Sequence, residues 1–304
     1  NIGVPLTSVC DEKLDYVVCE VSSFQLEAVD KFKPDVAILL NIAEDHLDRH
    51  KSFKNYINSK FEIFKNNPNL SVLNYDDFIT NLNLFRINGN KEFFSKSNKC
   101  DGLFIDENGM VEDAQNNFVF DFNKLELDKI FYEDLLAVLV VCKYYLLSER
   151  YLYDLSKKYI NMTNKREILT QINNYMIIND SKATNIHAMK NSLKLCNSPT
   201  ILLLGGVDKQ LNFDEFFNEI FTYNLKLIIA YGEVKKRILK SAKKYSFDKI
   251  LVAKNLESAI ELGVLNLEKN DILLFSPACS SFDEFNGYEE RGEYFKSKIK
   301  SLLE

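Results

Sequence analysis

The sequence predicts an α/β protein of two domains in series. The first is a central domain on a mostly parallel sheet over 1–163, and the second a doubly wound, Rossmann-like domain over 164–304. Three observations carry this reading. Apolar runs at 15–21 and 36–40 flank a segment opened by Ser22 and Ser23, a strand–helix–strand pattern. Farther on, apolar runs at 200–204, 225–230, 249–252 and 271–275 alternate with amphipathic segments at 186–195, 213–220, 234–245, 256–262 and 288–303. The 304 residues suffice for two ordinary domains, and polar residues gather at 161–165, where the boundary falls.

Each element has a local reason. Ser22 and Ser23 are N-cap residues for a short helix to about residue 31, stopped by Pro34. The flanking strands are then parallel, because a helix joins them, and Glu20 and Asn41 stand at equivalent carboxyl ends. From Ser52 to about residue 66, Phe53, Tyr56, Ile57, Phe61 and Phe64 recur at i, i+3, i+4, i+8 and i+11, one apolar helix face. Lys60 falls at i+7 on that face, either as a snorkelling side chain or as a buried amine with a chemical role. Residues 70–128 read as β-rich, with a hairpin over 102–111 around Glu107-Asn108-Gly109, and 132–147 as a strongly apolar helix. The second domain opens with a hairpin over 168–178 that turns at Asn173-Asn174.

Composition narrows the function. A net charge of −6 leaves no basic footprint for nucleic acid. The best apolar stretch, 135–147, is interrupted by Lys143 and too short to span a bilayer. Six scattered cysteines form no C-x-x-C pair, and Cys19, Cys142 and Cys196 lie in apolar patterns, so buried free thiols in a reducing cytoplasm are expected. The chain starts at Asn1, not Met, and reads as a piece of a longer protein.

Chemistry-bearing residues concentrate at strand ends, where open α/β sheets bind ligands. Glu20, Ser22, Ser23 and Gln25 follow the first strand. Asn41-Ile42-Ala43-Glu44-Asp45-His46-Leu47-Asp48-Arg49-His50 follows the second, with Lys60 on the next helix. Asn179-Asp180-Ser181-Lys182-Ala183-Thr184-Asn185 joins a strand to a helix, an arrangement suited to anions. Gly205-Gly206-Val207-Asp208-Lys209 and Ser276-Pro277-Ala278-Cys279-Ser280-Ser281 close the second sheet. Together they suit a ligand with phosphates and carboxylates and a divalent cation held by oxygen and imidazole. Neither G-x-x-x-x-G-K-[ST] nor G-x-G-x-x-G occurs.

These clusters, in this order, resemble the Mur ligase family, and the S-S-F-Q-L-E, N-D-S-K-A-T-N and S-P-A-C-x-S-F-D patterns resemble its D-glutamate-adding branch. The resemblance implies an ATP- and Mg²⁺-dependent amide ligase, a monomer acting on UDP-N-acetylmuramoyl-L-alanine and D-glutamate through an acyl phosphate. It implies magnesium ligation by Glu20, by His46 and by a carbamate on Lys60. It implies nucleotide contacts for Arg166, Asp180 and Asn185, and places Asn1, Ser22 and Gln25 near the uridine-linked substrate. Lys182, Thr184, Lys209, Ser281 and Tyr288 match the D-glutamate pocket, with Lys182 in a catalytic role.

Three segments depart from the family pattern. A uridine-nucleotide domain and a phosphate loop would lie before Asn1, so this chain is expected to be inactive alone. Asp128–Asp134 stands where the family has G-x-H-N, and Asn164-Lys165-Arg166-Glu167-Ile168 where it has P-H-R-[LF]-E. Folylpolyglutamate synthase, another Mur ligase, and a non-catalytic ligand-binding homologue are the alternative readings.

Overall fold

The computed structural model describes residues 5–125, 129–148, 151, 152, 154, 163–170 and 175–304. They fall within two compact units, one over Asn1–Ile42, Arg49–Leu125 and Phe131–Tyr153, the other over Ala43–Asp48, Glu126–Ile130 and Asp154–Glu304.

The first unit is built on a six-stranded sheet in sequence order: β1 (Val36–Leu39), β2 (Leu70–Asn74), β3 (Lys91–Ser95), β4 (Gly102–Ile105), β5 (Met110–Glu112) and β6 (Phe118–Asp121). β1 to β4 run parallel, and β5 and β6 antiparallel. All five residues of β2 are buried, as expected of an inner parallel strand covered on both faces. Helices among the described residues of this part include α1 (Ser23–Leu26), α2 (Leu47–His50), α3 (Phe53–Phe61), α4 (Phe78–Leu82) and α5 (Tyr132–Tyr144). Ser52 caps α3 by accepting from the Asn55 amide, and Tyr56, Phe61 and Phe64 enter a core with Ala37, Leu39 and Leu73. The apolar face read from the sequence is therefore the buried one, with Lys60 half-buried on it.

The expected strand over 15–21 does not form. An apolar run becomes a strand only where a neighbour takes its backbone groups. Among the described residues β1 ends the sheet, and Val17 and Val18 are exposed. Cys19 is correspondingly exposed rather than buried. Cys142 is half-buried, and Cys100, Cys196 and Cys279 are the buried thiols.

The second unit has the order β11-β10-β9-β12-β8-β7, from β7 (Glu167–Thr170), β8 (Met176–Asn179), β9 (Thr200–Gly205), β10 (Leu225–Tyr231), β11 (Ile250–Val252) and β12 (Ile272–Ala278). Only β7 is antiparallel to its neighbour. The expected hairpin is present as β7–β8, and its turn at Asn173-Asn174 lies outside the described residues.

Strand periodicity divides the core in two. Leu202 and Leu204 of β9 face Met189 of α6 (Ile186–Lys194), Phe213 and Phe216 of α7 (Phe213–Asn218) and Ile238 of α8 (Lys235–Lys244). Ile201 and Leu203 face Leu256 and Ile260 of α9 (Leu256–Leu265) and Phe295 and Ile299 of α10 (Tyr288–Leu303). Helices on both faces make this the doubly wound domain read from the sequence.

Candidate functional site

In the first unit the site residues lie on α1, just before it, and on α3. Ser22 and Gln25 cap α1 reciprocally. The Gln25 amide donates to Ser22 Oγ at 3.3 Å, and the Ser22 amide donates to Gln25 Oε1 at 2.9 Å. That box fixes where both side chains stand, while Gln25 itself is exposed. Lys60 lies in the last turn of α3, its ammonium 5.7 Å from the centre of the Tyr56 ring. Glu20 is exposed, and Asn1 lies outside the described residues.

At the carboxyl ends of β1 and β2, Asn41 and Asn74 donate to Glu133 Oε1 at 3.3 and 2.7 Å. Burial pushes the Glu133 carboxyl up, with Lys96 pulling it down. Glu133 lies in the segment that departs from the family pattern, and at this position a half-buried acid crosslinks strand ends.

In the second unit the segment 43–48 supplies Asp45, 8% exposed. Lys209 Nζ stands 3.2 Å from Asp45 Oδ1, Asn185 Nδ2 donates to Oδ2 at 3.3 Å, and the His46 amide donates to Oδ1 at 2.8 Å. His46 has φ +53°, the left-handed region, and its Nε2 stands 3.8 Å from Asp45 Oδ2. The structure thus gathers Lys209, Asn185 and His46 around one carboxylate that the sequence reading did not single out. With both ends of the Asp45–Lys209 pair near-buried, removing either leaves an uncompensated charge.

The loop 180–185 carries the rest. Asn185 caps α6 by accepting from the Ala188 amide at 2.8 Å. Lys182 is exposed, its Nζ 5.9 Å from the Tyr288 ring centre, and Thr184, two residues on, is half-buried. Asp180 points inward: its carboxylate accepts from Ser276 Oγ at 2.7 Å and from the Arg166 amide at 3.1 Å. Burial pushes its carboxyl up to about 6. Arg166, at φ +47°, donates from Nη1 to the Ser192 carbonyl at 2.5 Å and to Ser192 Oγ at 3.2 Å. Ser281 is buried in the loop after β12.

Sequence reasoning missed Arg291, which holds these loops together. It is 1% exposed. Its Nε donates to Ser181 Oγ at 3.0 Å, Nη2 to the Ser181 carbonyl at 2.8 Å and Nη1 to the Cys279 carbonyl at 2.9 Å. One guanidinium therefore joins the loop after β8 to the loop after β12. Its signal was legible: Arg291, Phe295 and Ile299 recur at i, i+4 and i+8, so an arginine sits on the apolar stripe of α10. Beside it, a Cβ on Gly292 would fall 1.8 Å from Asn164 Oδ1, so that approach requires glycine.

Magnesium is implied by the resemblance. Among the described residues no three His, Cys, Asp or Glu side chains gather as a metal centre. Lysine carries no oxygen, so the proposed donor set suits a hard cation only if Lys60 bears a carbamate.

Comparison with known proteins finds relatives of both parts of the chain. The sequence model of the Mur ligase middle domain matches residues 1–130, and that of the Mur ligase glutamate ligase domain matches 166–279. The UDP-N-acetylmuramoylalanine–D-glutamate ligase of Natranaerobius thermophilus is 34% identical over 99% of this chain and 67% of its own length. The enzyme of the same name from Clostridioides difficile is 32% identical over 99% of this chain and 68% of its own. The chain thus spans about two thirds of these relatives. Among solved structures, MurF ligase from Thermotoga maritima in complex with ADP superposes with a TM-score of 0.60 at 17% identity, over 89% of this chain and 63% of that one. Mycobacterium tuberculosis folylpolyglutamate synthase complexed with ADP gives 0.60 at 11% identity, over 86% and 63%. At those identities the likeness is one of fold.

Proposed function

The chain belongs to the Mur ligase family, and from that premise we propose that it forms the greater part of an ATP-dependent ligase that adds D-glutamate to UDP-N-acetylmuramoyl-L-alanine in the cytoplasm. The observation that carries this reading is the end-to-end match to D-glutamate ligases, 99% of the chain at 32–34% identity.

A carboxylate is a poor electrophile. Transfer of the γ-phosphoryl group of ATP to it makes an acyl phosphate. The amine of D-glutamate then attacks the carbonyl carbon, the C–O bond to phosphate breaks, and phosphate leaves as the amide forms. Protein groups contribute by positioning and by charge. Ser22 and Gln25, fixed by their shared cap, would hold the uridine-linked substrate. Lys209 would take a carboxylate of D-glutamate, in competition with Asp45, and Lys182, Thr184, Ser281 and Tyr288 would line the same pocket. Arg166, Asp180 and Asn185 would serve the nucleotide. Glu20, His46 and a carbamylated Lys60 would hold Mg²⁺, which when bound neutralises charge on the phosphoryl oxygens.

The test is phosphate release by the full-length protein with ATP, Mg²⁺, UDP-N-acetylmuramoyl-L-alanine and D-glutamate, run beside the 304-residue chain. Release that requires both acceptor substrates is expected from the full-length protein. Lys60→Ala should abolish it, with partial recovery on adding short-chain carboxylates. Silence with these substrates would overturn the assignment, and an unaffected Lys60→Ala enzyme would remove the carbamate.

A further inference from the structure

The first unit contains a Ser–His–Glu relay, Ser23 and His50 buried and Glu27 at the surface, that none of the roles above uses. His50 is 4% exposed. Its Nε2 lies 3.0 Å from Ser23 Oγ, and its Nδ1 lies 3.2 Å from Glu27 Oε1. The carboxylate facing Nδ1 selects the tautomer protonated there, leaving Nε2 to accept from the serine hydroxyl. The ring stacks on Phe24 at 5.3 Å and 15° and meets Tyr56 edge-on at 5.3 Å. Arg49 Nη2 holds the second oxygen of Glu27 at 3.0 Å, and Asn55 Nδ2 donates to the His50 carbonyl at 2.8 Å.

The same three residue types in this order serve elsewhere as nucleophile, base and orienting acid. Burial decides against that use here. Ser23 is 3% exposed, so no substrate carbonyl reaches its hydroxyl. What the relay does reach is α1 on one side and α3 on the other. Ser23 and Glu27 bracket Gln25, Ser22 immediately precedes them, and Tyr56 lies one turn before Lys60.

We infer that His50 is a positioning residue, locking α1 against α3 so that Ser22 and Gln25 meet the uridine-linked substrate in fixed register with Lys60. A buried serine–histidine pair tied in this way to a surface carboxylate fixes one arrangement, and losing either partner loosens it. The inference rests on the reading of Ser22 and Gln25 as substrate contacts.

The experiment uses the full-length ligase. His50→Phe keeps both aromatic contacts and removes both hydrogen bonds. It should raise KM for UDP-N-acetylmuramoyl-L-alanine about tenfold, leaving KM for ATP and for D-glutamate within about twofold. Ser23→Ala, a smaller change, should shift the same KM in the same direction. Combining the two should add little to His50→Phe alone, because both break one network. An unchanged KM, a rise in all three KM values together, or additive effects would overturn the role. Gln25→Ala separates the two readings. A raised KM there with none in His50→Phe removes the positioning role alone, and an unchanged KM in Gln25→Ala removes the substrate contact and the inference with it.

Discussion

At the scale of single residues, the clearest consequence concerns Asp180. Its carboxyl titrates near 3.8 when unperturbed, and burial raises it to about 6 in the fold. The folded state therefore binds the proton more tightly. Its contribution to stability is fully present below about pH 3.8 and is lost as pH rises through about 6. The difference amounts to about 3 kcal/mol. Asp180→Asn should remove that dependence and make the second unit more resistant to urea at neutral pH. Urea midpoints of both proteins at acid and neutral pH test this, and a variant less stable at neutral pH would count against it. The site residues read from the sequence were those in loops with unusual polar density, such as Lys209 and Asn185, and Lys60, which stood out on the apolar face of α3. No individual role was read for Asp45, Arg291 or His50. Local spacing put Asp45 and His50 in a polar run and Arg291 on an apolar stripe, but it does not record their partners: Lys209 lies 164 positions from Asp45, and Ser181 lies 110 from Arg291.

At the scale of elements, the strand-to-loop turn at Gly205-Gly206 is tightly constrained. Gly206 has φ +134°, and a Cβ there would stand 2.3 Å from the Ser280 carbonyl oxygen, where the backbone after β9 pairs with that after β12. Gly206→Ala should cost about 3 kcal/mol through strain and displacement of the Ser280 loop. A lower urea midpoint with an unchanged slope would be the signature. A midpoint equal to that of the parent would show that the loop yields freely. Elements with a strong period were legible: α3, α10 and the alternating strands of the second unit formed where the apolar spacing placed them. The segment 15–21 was not, because an apolar run records a preference for burial and not the presence of a partner strand.

For the whole molecule, the alternation of strands and helices foretold two sheets but not their neighbours. β12, last in sequence, lies between β9 and β8, a crossover that no local pattern encodes. Each unit has its own core and its own buried thiols: Cys100 in the first, Cys196 and Cys279 in the second. Burial raises all three, Cys100 to about 11 and Cys279 to about 12, and the thiolate is the form that reacts. Cys10 and Cys19 are open to solvent. A short pulse of iodoacetamide in rising urea, followed by peptide mass spectrometry, should mark these two at once and the buried three only as their surroundings open. If the units melt separately, Cys100 will be marked at a different urea concentration from Cys196 and Cys279. If they melt as one, all three will be marked together. The cysteines thus form a chronometer written into the chain, recording the order in which its halves come apart.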